Sequence, residues 1–135
     1  MPHSPTLSAL IVEDHHPLAR GFACALQREQ YDVHVASGSE DGLQQADAYH
    51  PDVVIVDFVM PHGNGLDFLT RLRERTGHQR TGLVMVTGQS LNEETQSDLR
   101  ALGARLRSKP ISLEDFVAVV RASVDGRGTA GTCAP

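Results

Sequence analysis

The chain has 135 residues, a hydrophobic content of 40% and a formal net charge of −5. This length fits one domain with one core, and the acidic balance argues against a nucleic-acid surface, which needs clustered positive charge. No run approaches ~18 consecutive apolar residues, so no membrane span is expected. The N-terminus lacks the basic and apolar regions of a signal peptide, and Cys24 and Cys133 form no disulfide framework. These features predict a cytoplasmic domain.

Strand-like and helix-like segments alternate along the chain. Apolar or β-branched runs predict strands at about 7–12, 32–36, 53–56, 82–87 and 104–108. Helical periodicity follows each of them, beginning at Pro17, near residue 39, near Asn64, from Asn92 and after Ser112. This alternation predicts right-handed βαβ crossovers and a parallel α/β sheet with helices on both faces. We expect a short extension at 1–6, the domain at 7–124, and a flexible tail or the start of a linker at 125–135.

Reactive side chains follow four of the predicted strands. Glu13 and Asp14 follow the first strand, Asp57 the third, Thr87 closes the fourth, and Lys109 follows the fifth. Open α/β sheets carry their chemistry at the carboxyl ends of the strands. The pattern therefore predicts that carboxylates, a hydroxyl and an ammonium meet at one edge of the sheet.

Clustered carboxylates at that edge favour a divalent cation. Two unit charges ~4 Å apart repel by about 4 kcal/mol at an effective dielectric near 20. A hard cation with oxygen ligands removes this penalty, and Mg²⁺ prefers one or two carboxylates together with water and phosphate oxygens. We expect Asp14 and Asp57 to be direct ligands, Glu13 to act through water, and the carbonyl of Val59 to be a further ligand.

The remaining groups suit a phosphoryl group. Thr87 can donate its hydroxyl hydrogen, and Gly88 lets a backbone N–H approach closely. Lys109 precedes Pro110 and is the one lysine among twelve basic residues. A compact ammonium with rotatable donors fits a confined position better than the wider fork of an arginine.

With these residues in this order, the chain resembles the receiver domain of bacterial two-component response regulators over about residues 7–124. The motifs that carry the resemblance are Glu13-Asp14, Asp57 with Met60-Pro61 and Gly65, Thr87, and Lys109-Pro110. The resemblance implies a flavodoxin-like fold with five strands in the order 2-1-3-4-5 and five helices in three α/β/α layers.

The resemblance also implies a function. Asp57 would accept a phosphoryl group from a histidine kinase or a histidine phosphotransfer protein. Glu13, Asp14, Asp57 and the Val59 carbonyl would hold Mg²⁺ or Mn²⁺, while Thr87, Gly88 and Lys109 would contact the phosphoryl group. The domain would catalyse only its own phosphorylation and dephosphorylation, and it would bind neither nucleic acid nor membrane.

Two positions depart from the usual pattern of that family. Leu106 occupies the position three residues before the lysine, where relatives usually carry Tyr or Phe. The resemblance implies Thr87 and Leu106 as the switch positions, and without an aromatic relay the output is expected to depend on the 87–92 loop and the fourth helix. Val59 stands two residues after Asp57, where relatives often carry polar residues. Its branched side chain predicts a slowly hydrolysed phosphate.

Two alternatives differ in class. A receiver-like fold could act as a binding module without phosphotransfer, and Leu106 is the feature that favours it. A phosphatase of the haloacid-dehalogenase type also uses an Asp after a β-run together with Mg²⁺. That family needs a second Asp two residues later, and this chain has Val59 there.

Overall fold

The computed structural model of the chain describes residues 6–132. Its central sheet has five parallel strands, numbered here in chain order: β1 (Ser8–Val12), β2 (Asp32–Ala36), β3 (Val53–Val56), β4 (Gly82–Thr87) and β5 (Ala104–Ser108). Their order across the sheet is β2-β1-β3-β4-β5. The doubly wound α/β fold predicted from the sequence is confirmed, including the strand order.

Five helices connect and flank the strands: α1 (His16–Arg28), α2 (Ser39–Tyr49), α3 (Gly65–Arg73), α4 (Glu93–Ala101) and α5 (Leu113–Thr132). Polar side chains cap three of them, because the side-chain oxygens of Asn64, Asn92 and Ser112 accept a backbone N–H three residues later. No helix within residues 6–132 combines the length and the apolar content needed to cross a bilayer.

Alternating side chains of the buried strands point to opposite faces and build two cores. On one face, Ile11, Ile55 and Val84 join the buried residues of α1 and α5. There, the rings of Phe22 and Phe116 stack with centroids 4.0 Å apart. On the other face, the core consists of strand residues and of buried side chains from α2, α3 and α4, among them Leu10, Val12, Val54, Met85, Leu43, Phe68, Leu69 and Leu72. The continuous apolar runs of the sequence thus reflect burial on both faces.

Helix α5 covers part of the segment that the sequence analysis expects to be a tail or the start of a linker. The chain continues as α5 from residue 125 to Thr132 instead of leaving the helix at residue 124. Once the first turns of α5 are held by their packed side chains, each further residue adds a backbone hydrogen bond, and the glycines only weaken this propagation. Residues 1–5 and 133–135, including Cys133, lie outside the described residues.

A small ribbon after β3 was not predicted from the sequence. Val59–Met60 pairs antiparallel with Gly63–Asn64, in a stretch for which the sequence analysis predicts no strand. The backbone N–H of Gly65 donates to the carbonyl of Phe58 at 2.7 Å and closes the ribbon onto the end of β3. The ribbon therefore fixes the path of the chain immediately after Asp57.

Gly65 is expected to be required for this closure. A Cβ at Gly65 would collide with the backbone carbonyl of Asp57, which cannot move aside without disturbing β3. We predict that Gly65→Ala lowers the free energy of unfolding by about 1–3 kcal/mol, measured by urea denaturation. Gly21→Ala in α1 is the matched control, because a Cβ there meets nothing within 4 Å; it should stabilise by ~0.5–1 kcal/mol. Equal effects of the two substitutions would contradict this account.

Candidate functional site: an ammonium between two carboxylates

The parallel register brings the ends of the central strands to one edge of the sheet. Val12 pairs with Val56, and Val56 pairs with Met85, so Glu13 and Asp57 emerge side by side. Thr87 pairs with Ser108, and the backbone N–H of Lys109 donates to the Thr87 carbonyl at 2.9 Å. The sequence prediction that these strand ends converge is therefore confirmed.

The Lys109 ammonium lies between two carboxylates at this edge. Its Nζ atom is 2.7 Å from Asp57 Oδ2 and 3.3 Å from Glu13 Oε1. The side chains of Lys109, Asp57 and Glu13 are only 23%, 13% and 6% exposed, so water screens their charges weakly. This contact joins segments that are far apart in the sequence.

The environment of Lys109 changes its proton affinity in two opposing ways. Burial alone would lower the pKa of Lys109, but hydrogen bonds and charge attraction from Asp57 and Glu13 outweigh it and raise that pKa above its ordinary value. Lys109 therefore carries a positive charge throughout the neutral pH range.

The two oxygens of the Asp57 carboxylate have different partners. Oδ2 accepts from Lys109, and Oδ1 accepts from the backbone N–H of Val59 at 3.2 Å. Because the ribbon fixes the backbone at Val59, the carboxylate is held in one orientation at the end of β3. The Val59 side chain is 52% exposed and lies at the rim of the site.

Glu13 and Asp14 differ in their surroundings although they are adjacent. Glu13 is buried, and its Oε2 accepts from the backbone N–H of His15 at 3.2 Å. Asp14 is exposed, and its side chain makes no hydrogen bond or ion pair to another described residue. In residues 6–132, no three His, Cys, Asp or Glu side chains are grouped as metal ligands. Asp57 Oδ2 and Glu13 Oε1 both face the Lys109 ammonium.

Thr87 and Gly88 form the wall next to Lys109. Thr87 is only 2% exposed, and its hydroxyl oxygen accepts from the backbone N–H of Gln89 at 3.2 Å. A Cβ at Gly88 would lie 4.0 Å from the Cβ of Lys109, so the backbone passes close to this side chain. The hydroxyl thereby helps to hold the start of the loop between β4 and α4.

Leu106, predicted as a switch position, lies on β5 away from this contact. It is partly buried and packs against the core formed by α2, α3 and α4, together with Leu91 and Leu102. An aliphatic side chain therefore packs at the position where the family resemblance led us to look for Tyr or Phe.

The sequence did not reveal two parts of this site. The ribbon that holds the Val59 N–H, and the His15 N–H that binds Glu13, are backbone groups and leave little trace in side-chain patterns. The sequence does carry one signal for this region. Asn64, between Gly63 and Gly65, stands directly before an apolar helical pattern, which is typical of a helix N-cap.

Comparisons with known proteins agree with this fold. The family model of the response regulator receiver domain matches residues 9–121. The chain is 31% identical over 113 residues to response regulator ArlR of Staphylococcus aureus, covering 84% of this chain and 50% of that protein. The chain thus spans about half the length of the curated relatives it matches.

Solved structures show the same fold. Chemotaxis response regulator CheY4 of Vibrio cholerae superposes with a TM-score of 0.80 at 24% identity, covering 88% of this chain and 99% of that one. A CheY-like receiver domain protein from Methanospirillum hungatei superposes with a TM-score of 0.85 at 21% identity, covering 94% and 100%. The chain belongs to the response regulator receiver domain family, the signal-receiving part of two-component systems.

Removing the Lys109 charge should expose the repulsion between its two partners. We predict that Lys109→Met, without added metal, lowers the free energy of unfolding by roughly 1–3 kcal/mol near neutral pH, because Glu13 and Asp57 lose their shared cation. Urea denaturation gives this value. Adding Glu13→Gln in the same chain should restore part of the loss.

Arg107→Met is the matched control. Arg107 is an exposed cation on β5, and among the described residues its guanidinium donates only to the adjacent Leu106 carbonyl. Its loss should change stability by less than about 0.5 kcal/mol. Equal stability of the Lys109→Met and Arg107→Met variants would contradict the claim that the Lys109 contact with Glu13 and Asp57 stabilises the fold.

Proposed function

We propose that this domain receives a phosphoryl group on Asp57. The observation that carries the proposal is the contact between the Lys109 ammonium and the partly exposed Asp57 carboxylate. In the step, an Asp57 oxygen forms a bond to phosphorus while the bond from phosphorus to the donor breaks, and the leaving atom keeps the electron pair. The Lys109 charge stabilises negative charge that develops on the phosphoryl oxygens.

A divalent cation is proposed to complete the site. Its ligands would come from Glu13, Asp14, Asp57 and the carbonyl of Val59, an all-oxygen set that matches Mg²⁺ or Mn²⁺. The exposed position of Asp14 and the partial exposure of Asp57 leave both carboxylates accessible to an ion from solvent. When bound, the cation supplies positive charge to the phosphoryl oxygens.

We propose that the phosphoryl group is then held by Thr87, Gly88 and Lys109. The aspartyl phosphate adds roughly one to two negative charges, and the Thr87 hydroxyl can donate to it by turning from its present partner at Gln89. Moving a two-state domain from 1:99 to 99:1 needs ~5.5 kcal/mol. A few hydrogen bonds to a charged group, worth ~1.5–3 kcal/mol each, supply that amount.

The proposed donor is a histidine kinase or a histidine phosphotransfer protein of the cytoplasm. The family supports this, since response regulators work in two-component signalling. The domain is proposed to act as a signalling switch without turning over a separate substrate. Its output would be a change at the 87–92 loop and α4, passed to a partner or an attached domain.

The proposal predicts a specific covalent change. After incubation with Mg²⁺ and a small acyl phosphate, the intact mass of the chain should increase by one phosphoryl group, and Asp57→Asn should show no increase. The nearly isosteric substitution replaces one carboxylate oxygen with an amide NH₂ and removes the negative charge that makes Asp57 a nucleophile. Equal gain by both proteins would remove Asp57 from this role, and no gain by either would favour the binding module without phosphotransfer.

The lifetime of the phosphate should depend on Val59. Its exposed branched side chain lies beside Asp57 and offers no group that could orient an attacking water. We predict that Val59→Asn loses its phosphate several-fold faster than the unchanged chain, in a time course by intact mass. Val59→Thr keeps the shape and adds a hydroxyl, so a faster loss in this variant as well would show that a polar group, and not a change of shape, speeds the loss. A slower Val59→Asn variant would contradict the prediction.

A further inference from the structure

A second cleft lies at the opposite edge of the sheet from Asp57. It has a volume of about 730 Å³ and opens beside the first residues of β4 and β5, against the C-terminal half of α5. This volume falls within the range of ~300–1,000 Å³ typical of small-molecule sites. Four of its lining residues are arginines: Arg73, Arg80, Arg100 and Arg105.

The charge of this cleft is opposite to that of the chain. The chain carries 17 acidic and 12 basic residues, yet no Asp or Glu is among the described residues that line the cleft. Arginines collected in one concave region reinforce one another's field, because the low-dielectric walls focus it. The cleft is therefore suited to attract an anion from solvent.

Arg73 supplies a positive charge that no carboxylate within residues 6–132 neutralises. Its guanidinium donates only to backbone carbonyls: Nε to Leu102 at 2.9 Å, and Nη1 to His78 at 3.0 Å and Thr81 at 2.7 Å. Arg73 is half-buried, and this burial lowers its pKa; its charge is thus partly removed from water, where its acceptors are uncharged carbonyls. An anion in the cleft would supply a counter-ion.

Two glycines leave room for the guanidinium groups. At Gly103, with φ +80°, a Cβ would lie 3.2 Å from Nη2 of Arg73. At Gly126, a Cβ would lie 2.9 Å from Nη2 of Arg105. Side chains at these positions would push the guanidinium groups out of place, so the backbone accommodates the arginines that line the cleft.

Arg100 and Arg105 are not required by the fold in the way that Arg73 is. Arg100 is exposed in the last turn of α4, and its side chain has no partner among the described residues. Arg105 is exposed and makes one long contact of 3.5 Å with the carbonyl of Ala122. Both therefore retain unused N–H donors that a ligand can occupy.

We propose that this arginine-lined cleft binds a small polyanion that carries phosphate groups. The planar guanidinium fork matches phosphate oxygens in a two-point contact, and several forks around one cleft select a ligand with more than one charged group. Arg73 provides the fixed charge at the wall, while Arg100 and Arg105 close on the ligand. The neighbouring Gly82 and Ala104 leave an apolar surface for any organic part.

Calorimetric titration of the full chain in low-salt buffer with a chelator tests the proposal. The probes are inorganic tripolyphosphate, a nucleoside triphosphate and citrate. We expect saturable binding of both phosphate probes that weakens as salt is added, with citrate bound more weakly. Tighter binding of the nucleotide than of tripolyphosphate would show that the cleft also contacts the organic part of the ligand.

Variants localise the binding. Arg100→Gln and Arg105→Gln should each weaken binding by about tenfold, and the double variant more. Arg20→Gln, an exposed arginine in α1 outside the cleft, makes the same charge change and should leave affinity unchanged. Thermal unfolding confirms that each variant is folded.

Three results would overturn the proposal. The first is no saturable binding of either phosphate probe to the unchanged chain. The second is equal weakening by Arg20→Gln, which would show attraction without a site. The third is citrate binding as tight as tripolyphosphate, which would remove the preference for phosphate. None of these outcomes depends on whether Asp57 accepts a phosphoryl group.

Discussion

The functional edge of this domain depends on one electrostatic constraint: two carboxylates from different strands share a single ammonium. Glu13 and Asp57 lie next to each other because β1 and β3 are adjacent and in register, and without a cation between them they would repel or take up protons. Lys109 meets both because β5 ends at the same edge. The strand order and the charge balance of the site therefore support each other, and a change in either would disturb both.

This arrangement also suits the family's chemistry. A carboxylate that accepts a phosphoryl group must be oriented and reachable. The N–H of Val59 and the ribbon orient the Asp57 carboxylate, and its partial exposure leaves it reachable. The same ammonium that stabilises the resting carboxylates can follow the charge when it moves onto phosphoryl oxygens. In the proposed step, the ammonium that holds the resting carboxylates would also hold the phosphoryl group, so both states would use the same contact.

The fold could largely be predicted from the sequence, whereas the details of the site could not. Runs such as Val53–Val56 are short and apolar because both faces of the sheet are covered, and this made their location and type clear. The reactive side chains at the ends of four of the predicted strands indicated which edge of the sheet carries the functional site. Distances could not be obtained this way, since they depend on register and rotamers. The ribbon could not be predicted, because strands of two residues are too short to show a periodic pattern. Helix α5 extends into a glycine-rich stretch whose composition had indicated a tail.

The central claim concerns Lys109, and it can be measured directly because the chain has a single lysine. Selective ¹⁵N labelling of lysine gives one side-chain signal, whose pH titration by NMR reports the pKa of Lys109 alone. The account predicts a pKa above the ordinary value of 10.5 in the folded chain and a lower pKa in Asp57→Asn, where one carboxylate partner is lost. A pKa at or below the ordinary value that does not respond to Asp57→Asn would contradict the shared ion contact on which the site is built.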